Sequence, residues 1–440
     1  MSVDSRKNRP SRREFLKRTA AAGAIAAGGL SVARSAHAAG SDVIRLALVG
    51  CGGRGTGAAV NALRNAAKAN VKLVAMADAF RDRLDMSLRG IESQCKGQVD
   101  VPEERKFVGL DSCDKALASG VDMVLLCGPP GFRPSQFEAA VKAGKHVFME
   151  KPVATDAPGV RRVLAANAEA KQKGLVVAVG HHLRHEEKHR ELIKRIHDGA
   201  IGDLKYLRVY FNTGSLWKRP RQPEQTELQH QVRNWYYFTW LSGDHIVEQH
   251  VHDLDVGNWI AKGHPVEANG LGGRQVRKGK DVGEIFDHHA VEYTYADGVK
   301  MFSFCRQIDG CWGSFSEHAH GTKGHANMEG HGTTVLSVDG QEPIRWRRTA
   351  DGHQTEMDDL FAAMLAGKPY NEGDNGAEGT MTAIIGRMAT YSGKLVTWDE
   401  AMRSPLDLAP KQFAWDAEPT VKPDADGLYP CAMPGLTKAF

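Results

Sequence analysis

A short apolar run, Val43-Ile44-Arg45-Leu46-Ala47-Leu48-Val49, breaks on the cluster Gly50-Cys51-Gly52-Gly53-Arg54-Gly55, and this succession constrains the fold more than any other part of the chain. A run of that length closed by glycine reads as a strand buried on both faces of a parallel sheet. Helical spacing follows over 56–70, so the glycines sit where a strand turns directly into a helix. In that context Gly50 allows the tight turn, Gly52 lets a pyrophosphate approach the backbone, and Gly55 lets helix and strand pack closely. The free N–H groups at the helix start, around Gly53 and Arg54, offer partial positive charge to phosphates. Asp78 closes the next apolar run, where a carboxylate accepts hydrogen bonds from ribose hydroxyls. It would repel a 2′-phosphate, so NAD is expected ahead of NADP, a preference softened by Arg81 and Arg83 close behind.

The alternation continues down the chain. Strands are predicted over 71–77, 121–127, 146–149 and 175–179, and helices over 135–144 and 157–173. Strand and helix in strict turn mean βαβ units and a parallel sheet. Beyond about residue 182 the texture changes, with aromatic and β-branched residues alternating over 206–211, 289–295 and 299–304. Ala296-Asp297-Gly298 reads as the hairpin turn between the last two. The expectation is an α/β protein whose dinucleotide-binding domain spans 41–181. A second domain with a largely antiparallel sheet, one face of it open for contacts, spans 182–403. Helices are predicted over 357–366 and 376–392, and a Pro/Gly-rich tail over 404–440 wraps the surface or a neighbouring subunit.

The N-terminus reads as an address. Ser11-Arg12-Arg13-Glu14-Phe15-Leu16-Lys17 is a twin-arginine export signal, followed by a weakly apolar stretch and the small-x-small site Ala36-His37-Ala38. Residues 1–38 are therefore expected to be removed and the protein to be periplasmic. The apolar stretch is too short and glycine-rich to span a membrane, which takes about 20 apolar residues. The net charge of +4 includes that basic leader, and with no basic stripe elsewhere a nucleic-acid partner is not expected. Seven cysteines are scattered without paired spacing, so neither a zinc ribbon nor a disulfide framework is indicated, and whether Cys305 and Cys311 pair stays open.

Two clusters carry candidate chemistry. Glu150-Lys151-Pro152 follows a parallel strand at the carboxyl edge where α/β proteins bind ligands, with Lys151 in reach of the nicotinamide end of a dinucleotide. Far downstream lies Gly243-Asp244-His245-Ile246-Val247-Glu248-Gln249-His250-Val251-His252-Asp253-Leu254-Asp255. If helical, this segment sets Glu248 and His252 on one face at i, i+4, where an acid can orient a histidine as a general base.

With the glycine turn, Gly128-Pro129-Pro130, Ala143-Gly144-Lys145-His146-Val147, Glu150-Lys151-Pro152 and the histidine segment in this order, the chain resembles the Gfo/Idh/MocA oxidoreductases over essentially its whole mature length. The resemblance implies an N-terminal Rossmann domain and a C-terminal α/β domain whose large open, mainly antiparallel sheet often forms an oligomer interface, so a homo-oligomer is expected. It implies hydride transfer between NAD and a hydroxyl of a carbohydrate or cyclitol, with proton chemistry carried by Lys151, Glu248 and His252. Pro129 and Glu150 join the cofactor site, and Arg184 matches an arginine near the domain junction. The chain departs from the family in carrying Glu248 where an aspartate is usual and Arg133-Pro134 where a histidine is common. The run Trp235-Tyr236-Tyr237-Phe238-Thr239-Trp240 and the export signal are also similar to the NAD-dependent glycosidases of glycoside hydrolase family 109.

Other patterns are weighed against blander readings. His185-Glu186-Glu187-Lys188-His189 matches the zinc-protease helix signature, yet its charged surroundings and the lack of a third ligand favour packing or a substrate contact. Dense histidines at 245, 250, 252, 288 and 289, with Asp287, read as hydrogen-bonded lining of a sugar pocket, and no metal is expected. Substrate contacts are expected from Arg184, Trp235, Tyr236 and His250. Trp217, Lys218, Arg219 and Arg221 sit in a loop that either caps the pocket or is solvated.

Overall fold

The structure is a computed structural model that describes residues 43–330, 332–347 and 350–440. The export signal expected over 1–38 lies outside the described residues.

The chain begins with β1 (Ile44–Val49), α1 (Gly53–Leu63), β2 (Val71–Asp78), α2 (Arg81–Gln94), β3 (Lys106–Val108) and α3 (Ser112–Ala118). It continues with β4 (Met123–Leu126), α4 (Arg133–Lys142), β5 (His146–Met149), α5 (Ala157–Gln172) and β6 (Val177–Val179). The six strands form one parallel sheet in the order β3-β2-β1-β4-β5-β6. Leu46, Leu48, Met123 and Leu125 face one helical layer and Ala47, Val49, Val124 and Leu126 the other, which is why the strands read as unbroken apolar runs. The predicted helix over 56–70 is shorter than expected: it ends at Leu63, and Asn65 turns the chain by bonding the Ala69 N–H and carbonyl.

The second half contains α6 (Glu187–His197), β7 (Leu204–Thr213), α7 (Glu227–Arg233), α8 (Thr239–Ser242), α9 (His245–Glu248), α10 (Val251–Ala261), β8 (Glu267–Gly273), β9 (His288–Thr294) and β10 (Lys300–Gln307). After these come β11 (Ser314–Gly321), β12 (Gly324–Glu329), β13 (Thr334–Val338), β14 (Ile344–Trp346), α11 (Gly352–Leu365), α12 (Gly373–Ser392), β15 (Val396–Thr397) and α13 (Trp398–Arg403). Nine strands form an open sheet in the order β14-β13-β12-β11-β7-β10-β9-β8-β15, antiparallel except where β10 lies parallel to β7. The hairpin at Ala296-Asp297-Gly298 forms as predicted, with Gly298 at φ 86°, the Tyr295 N–H bonded to the Val299 carbonyl and the Gly298 N–H to the Tyr295 carbonyl.

The chain returns on itself twice, by a helix whose packing was not predicted and by the tail, which takes the first of its two expected places, its own surface. Helix α11 packs Met357, Leu360 and Phe361 into the core of the first sheet beside Ala58 and Ala59 of α1. The tail folds onto its own chain: Trp415 stacks on Phe80 at 5.4 Å, and Tyr429 meets Phe238 edge-on at 5.0 Å. No helix among the described residues is long and apolar enough to cross a membrane. Cys305, buried in β10, and Cys311, exposed beyond its end, are both free thiols.

Candidate active site

A cavity of about 480 Å³ opens at the carboxyl ends of β1, β2 and β4, where the strand order reverses. Gly50, Gly52, Gly53, Arg54, Gly55, Asp78 and Pro129 all line it. The glycines divide the work. Gly50 has φ 92°, and a Cβ there would meet the Gly128 backbone nitrogen at 2.3 Å. A Cβ on Gly55 would fall 2.0 Å from the Gly50 carbonyl oxygen, so helix and strand touch only because both residues are bare. At Gly52 and Gly53 a Cβ would meet nothing within 4 Å. That open space lies against the start of α1, whose first turn carries no side-chain cap, and it suits a pyrophosphate.

Asp78 accepts from the Cys51 N–H at 2.7 Å and the Phe80 N–H at 2.8 Å, one on each carboxylate oxygen, which leaves a lone pair on each for ribose hydroxyls. Burial raises its pKa, partly offset by those two amides. Of the two arginines behind it, Arg83 stands in the cavity wall, whereas Arg81 is drawn away by Asp85 and Glu103. Arg54 folds back from the turn to Glu150, Nε to Oε1 at 2.9 Å. Glu150 is thus buried behind Arg54 and contributes to the site through it.

Lys151 and Glu248 meet directly. Lys151 Nζ donates to Glu248 Oε1 at 3.0 Å and to the Glu248 carbonyl at 2.5 Å, and Glu248 lines the cavity beside Gln249. The expected Glu248–His252 pair does not form. Helix α9 ends at Glu248, the His250 N–H reaches back five residues to the His245 carbonyl at 3.2 Å, and α10 starts afresh at Val251. The widened turn shifts the helical register, so Glu248 orients Lys151 and leaves His252 to other neighbours. The His252 ring packs on His182 at 4.7 Å, and the His182 ring lies 4.1 Å from that of His353. Burial first, then the charges of His182 and Lys151, hold the His252 pKa well below its ordinary value, so the ring is neutral and able to take a proton. Its Nδ1 has no hydrogen-bond partner.

Other predicted contacts fall elsewhere. His250 is fully buried and spends both ring nitrogens inside, on Asp253 at 3.1 Å and Ser303 Oγ at 2.8 Å, so it does not reach the cavity. Arg184 grips Asp255 at 2.6 and 2.9 Å and lies over the Trp259 ring, bracing α10 and standing outside the wall. Trp235 and Tyr236 do line the cavity, joined by Trp217 and Arg219 from the preceding loop. His185 bonds Asp359 and Glu372 and His189 packs between Glu186 and Glu317, so the protease-like pattern is a buried ion network.

Four contributors escaped sequence reasoning. Gln307 donates to both the Tyr236 hydroxyl and the Gln249 side chain at 2.7 Å, which locks the aromatic wall to the Glu248 turn. His182 and His353 flank His252 from segments far apart in sequence. Arg133, the departure noted above, donates to the Gly128 and Pro152 carbonyls and ties the two turns together. Burial lowers its pKa to about 10, still far above neutrality, so it stays charged.

A glycine-lined Rossmann cleft with Glu248, the partner of Lys151, in its wall belongs to a nicotinamide-dependent oxidoreductase. The oxidoreductase family described as an NAD-binding Rossmann fold matches residues 44–181, and the GFO/IDH/MocA C-terminal domain matches 189–327. The chain belongs to the Gfo/Idh/MocA family. It is 23% identical over 333 residues to an inositol 2-dehydrogenase of Rhizobium meliloti, covering 75% of this chain and 86% of that one. Among solved structures, an aldose–aldose oxidoreductase from Caulobacter crescentus complexed with glycerol superposes with a TM-score of 0.63, at 19% identity over 81% of this chain and 100% of that one. A levoglucosan dehydrogenase in complex with NADH and levoglucosan superposes with a TM-score of 0.64, at 16% identity over 81% and 99%. At such identity the superpositions establish the shared fold.

Proposed function

We propose that the protein oxidises or reduces a hydroxyl of a carbohydrate or cyclitol, using NAD held in the glycine-lined cleft. The observation that carries this reading is the Lys151–Glu248 pair at the cavity, with neutral His252 close enough for the lysine charge to depress its pKa. Relatives named as inositol dehydrogenase and anhydrofructose reductase support a polyhydroxylated substrate. So does the aromatic wall of Trp217, Trp235 and Tyr236, whose flat faces suit the C–H faces of a sugar ring.

Bound NAD supplies the hydride acceptor. Glu248 holds the Lys151 ammonium in one place by accepting at both its carboxylate and its carbonyl. From there the ammonium donates a hydrogen bond to the reacting oxygen and stabilises charge as the hydroxyl proton leaves. His252 takes that proton because its ring is neutral. Lys151→Ala should lower kcat about 10²- to 10⁴-fold while NAD affinity, measured by calorimetry, changes little.

The export signal motivates a second outcome. A periplasmic protein is cut off from the cytoplasmic NAD pool, which favours cofactor kept bound through each cycle and an NAD-assisted glycosidase or sugar–sugar oxidoreductase. Purified exported protein should be screened with sugars and polyols by nicotinamide absorbance, and with aryl glycosides by aglycone release. Net reduction of NAD identifies the dehydrogenase, and aglycone release without it identifies the glycosidase. If neither Lys151→Ala nor His252→Ala changes turnover of any of these substrates, the proposal fails.

A further inference from the structure

We infer that Asp244, His245 and His289 form a buried site for a divalent first-row transition-metal ion, best suited to zinc, beneath the Glu248 turn. The sequence assigned these histidines to a sugar pocket, but they are at most 2% exposed and none lines the cavity. One ligand atom from each lies within 4.8 Å of the others: His289 Nε2 is 3.4 Å and His245 Nε2 is 3.9 Å from the two oxygens of Asp244. Tetrahedral coordination with bonds of about 2.0–2.1 Å spaces ligand atoms at roughly 3.3 Å, so small side-chain rotations bring these three atoms onto three of its four corners. Two imidazoles and a carboxylate are a ligand set zinc accepts, and a site with no opening for substrate favours a metal without redox chemistry.

An independent observation is a pair of buried ring nitrogens without partners. The Thr390 hydroxyl, 3.1 Å from the Gly386 and Arg387 carbonyls of its own helix, shares a hydrogen bond of 2.9 Å with His289 Nδ1. The other ring nitrogen, Nε2, has no hydrogen-bond partner. It lies 3.4 Å from Asp244 Oδ2, itself an acceptor from Phe286 N–H at 2.8 Å and Tyr391 Oη at 2.6 Å. His245 Nε2 has no hydrogen-bond partner either. Unpartnered polar atoms converging in a dry interior are costly unless something they can bind sits between them. The nearby arginines do not fill that role, because Arg387 is spent on the Thr155 and Gly243 carbonyls and Arg277 on the Phe286 carbonyl and Gln307. Thr390 on the far nitrogen of His289, and Tyr391 and Phe286 on the carboxylate, are the outer bonds that fix a metal-binding histidine and acid. The ion would staple α9, β9 and α12 together one turn before Glu248, and so hold the partner of Lys151.

The test uses the full purified chain. Metal analysis should return about one zinc per chain. After chelator treatment, added Zn²⁺ in large excess over its Kd should raise Tm by roughly 5 °C. Co²⁺ added instead should give the visible d–d absorption of a tetrahedral nitrogen–oxygen site, and H245N/H289N should lose both responses. Should the double variant fail to fold, the Co²⁺ spectrum of the unaltered chain decides alone. The inference is overturned if the chain holds no metal and its Tm ignores Zn²⁺. It is equally overturned if H245N/H289N keeps the metal, or if Co²⁺ gives only the octahedral spectrum of the free ion.

Discussion

His252 and His185 show how one residue type takes opposite charge states a short distance apart. Both are buried, and burial alone disfavours the imidazolium. Around His252 stand other histidines and Lys151, so its pKa falls further and the ring is neutral. Around His185 stand Asp359 and Glu372, one on each nitrogen at 2.8 and 3.0 Å, and they overcome burial to raise its pKa to about 9. Two outcomes follow from these signs. If His252 is the base, the acid limb of kcat/KM against pH should lie below the ordinary histidine value near 6.5. A limb at or above that value would assign the base elsewhere. For His185 the folded pKa lies above the unfolded one, so its stabilisation is complete below about pH 6.5 and disappears as pH rises through about 9. His185→Gln should therefore cost ~1–3 kcal/mol in urea melts at pH 6 and far less above pH 9. An equal loss at both pH values would show that the ring acts by packing alone. At this scale the sequence was legible where a residue's task is backbone geometry, as at Gly50 and Gly55, and illegible where it depends on a neighbour. Nothing in the spacing of Arg133 discloses that it reaches the Gly128 and Pro152 carbonyls, and Glu248 exchanged His252 for Lys151 because one turn of helix widened.

Elements were readable in proportion to how dry they are. Strands β1, β4 and β5 are buried on both faces, so their apolar runs had few other interpretations. Strands β11 and β12, Ser314–Gly321 and Gly324–Glu329, carry histidine, serine and glycine in place of such runs. They are strands because ladder bonds to β7 and to each other satisfy their backbone, a cause that residue patterns do not record. The strand–turn–helix unit at the cofactor cleft offers a sharper experiment, because its glycines serve separate purposes. Gly50→Ala puts a methyl 2.3 Å from the Gly128 nitrogen at φ 92° and should destabilise by roughly 3 kcal/mol or more. Gly52→Ala meets no protein atom within 4 Å and sits at φ −79°, so the fold and Tm should survive while NAD binding weakens at least about tenfold. Denaturant melts and calorimetric titration of the two variants separate the effects. Full NAD affinity in a well-folded Gly52→Ala protein would mean that the pyrophosphate does not lie against this turn.

Across the whole molecule, the least explained surface is the outer face of the nine-stranded sheet. Helices α10 and α12 cover the inner face, where Met301, Ser303, Cys305 and Gln307 of β10 are buried. The alternate residues of the same strand point the other way, as a pleat requires. There Tyr210 stacks on Phe304 at 5.3 Å and meets Trp312 edge-on at 5.6 Å, while Tyr206 stacks on His320 at 4.4 Å. Phe304 is 36% and Trp312 66% exposed, so rings that already organise one another stay in water. Isolated exposed rings need no explanation, but a joined aromatic strip flanked by Arg208 and His318 is the kind of patch that marks a contact surface. The tail does not provide the cover, because Phe413, Trp415 and Tyr429 are committed to Phe132, Phe80 and Phe238. A second copy of the chain is therefore the expected occupant, face to face across the two sheets. Light scattering at micromolar concentration should find an oligomer. Phe304→Asp should shift it toward the monomer with unchanged far-ultraviolet circular dichroism, because β10 keeps its ladder to both neighbours and loses only the outward ring. A monomeric unaltered chain, or an oligomer indifferent to Phe304→Asp, would mean that the strip serves another partner or none.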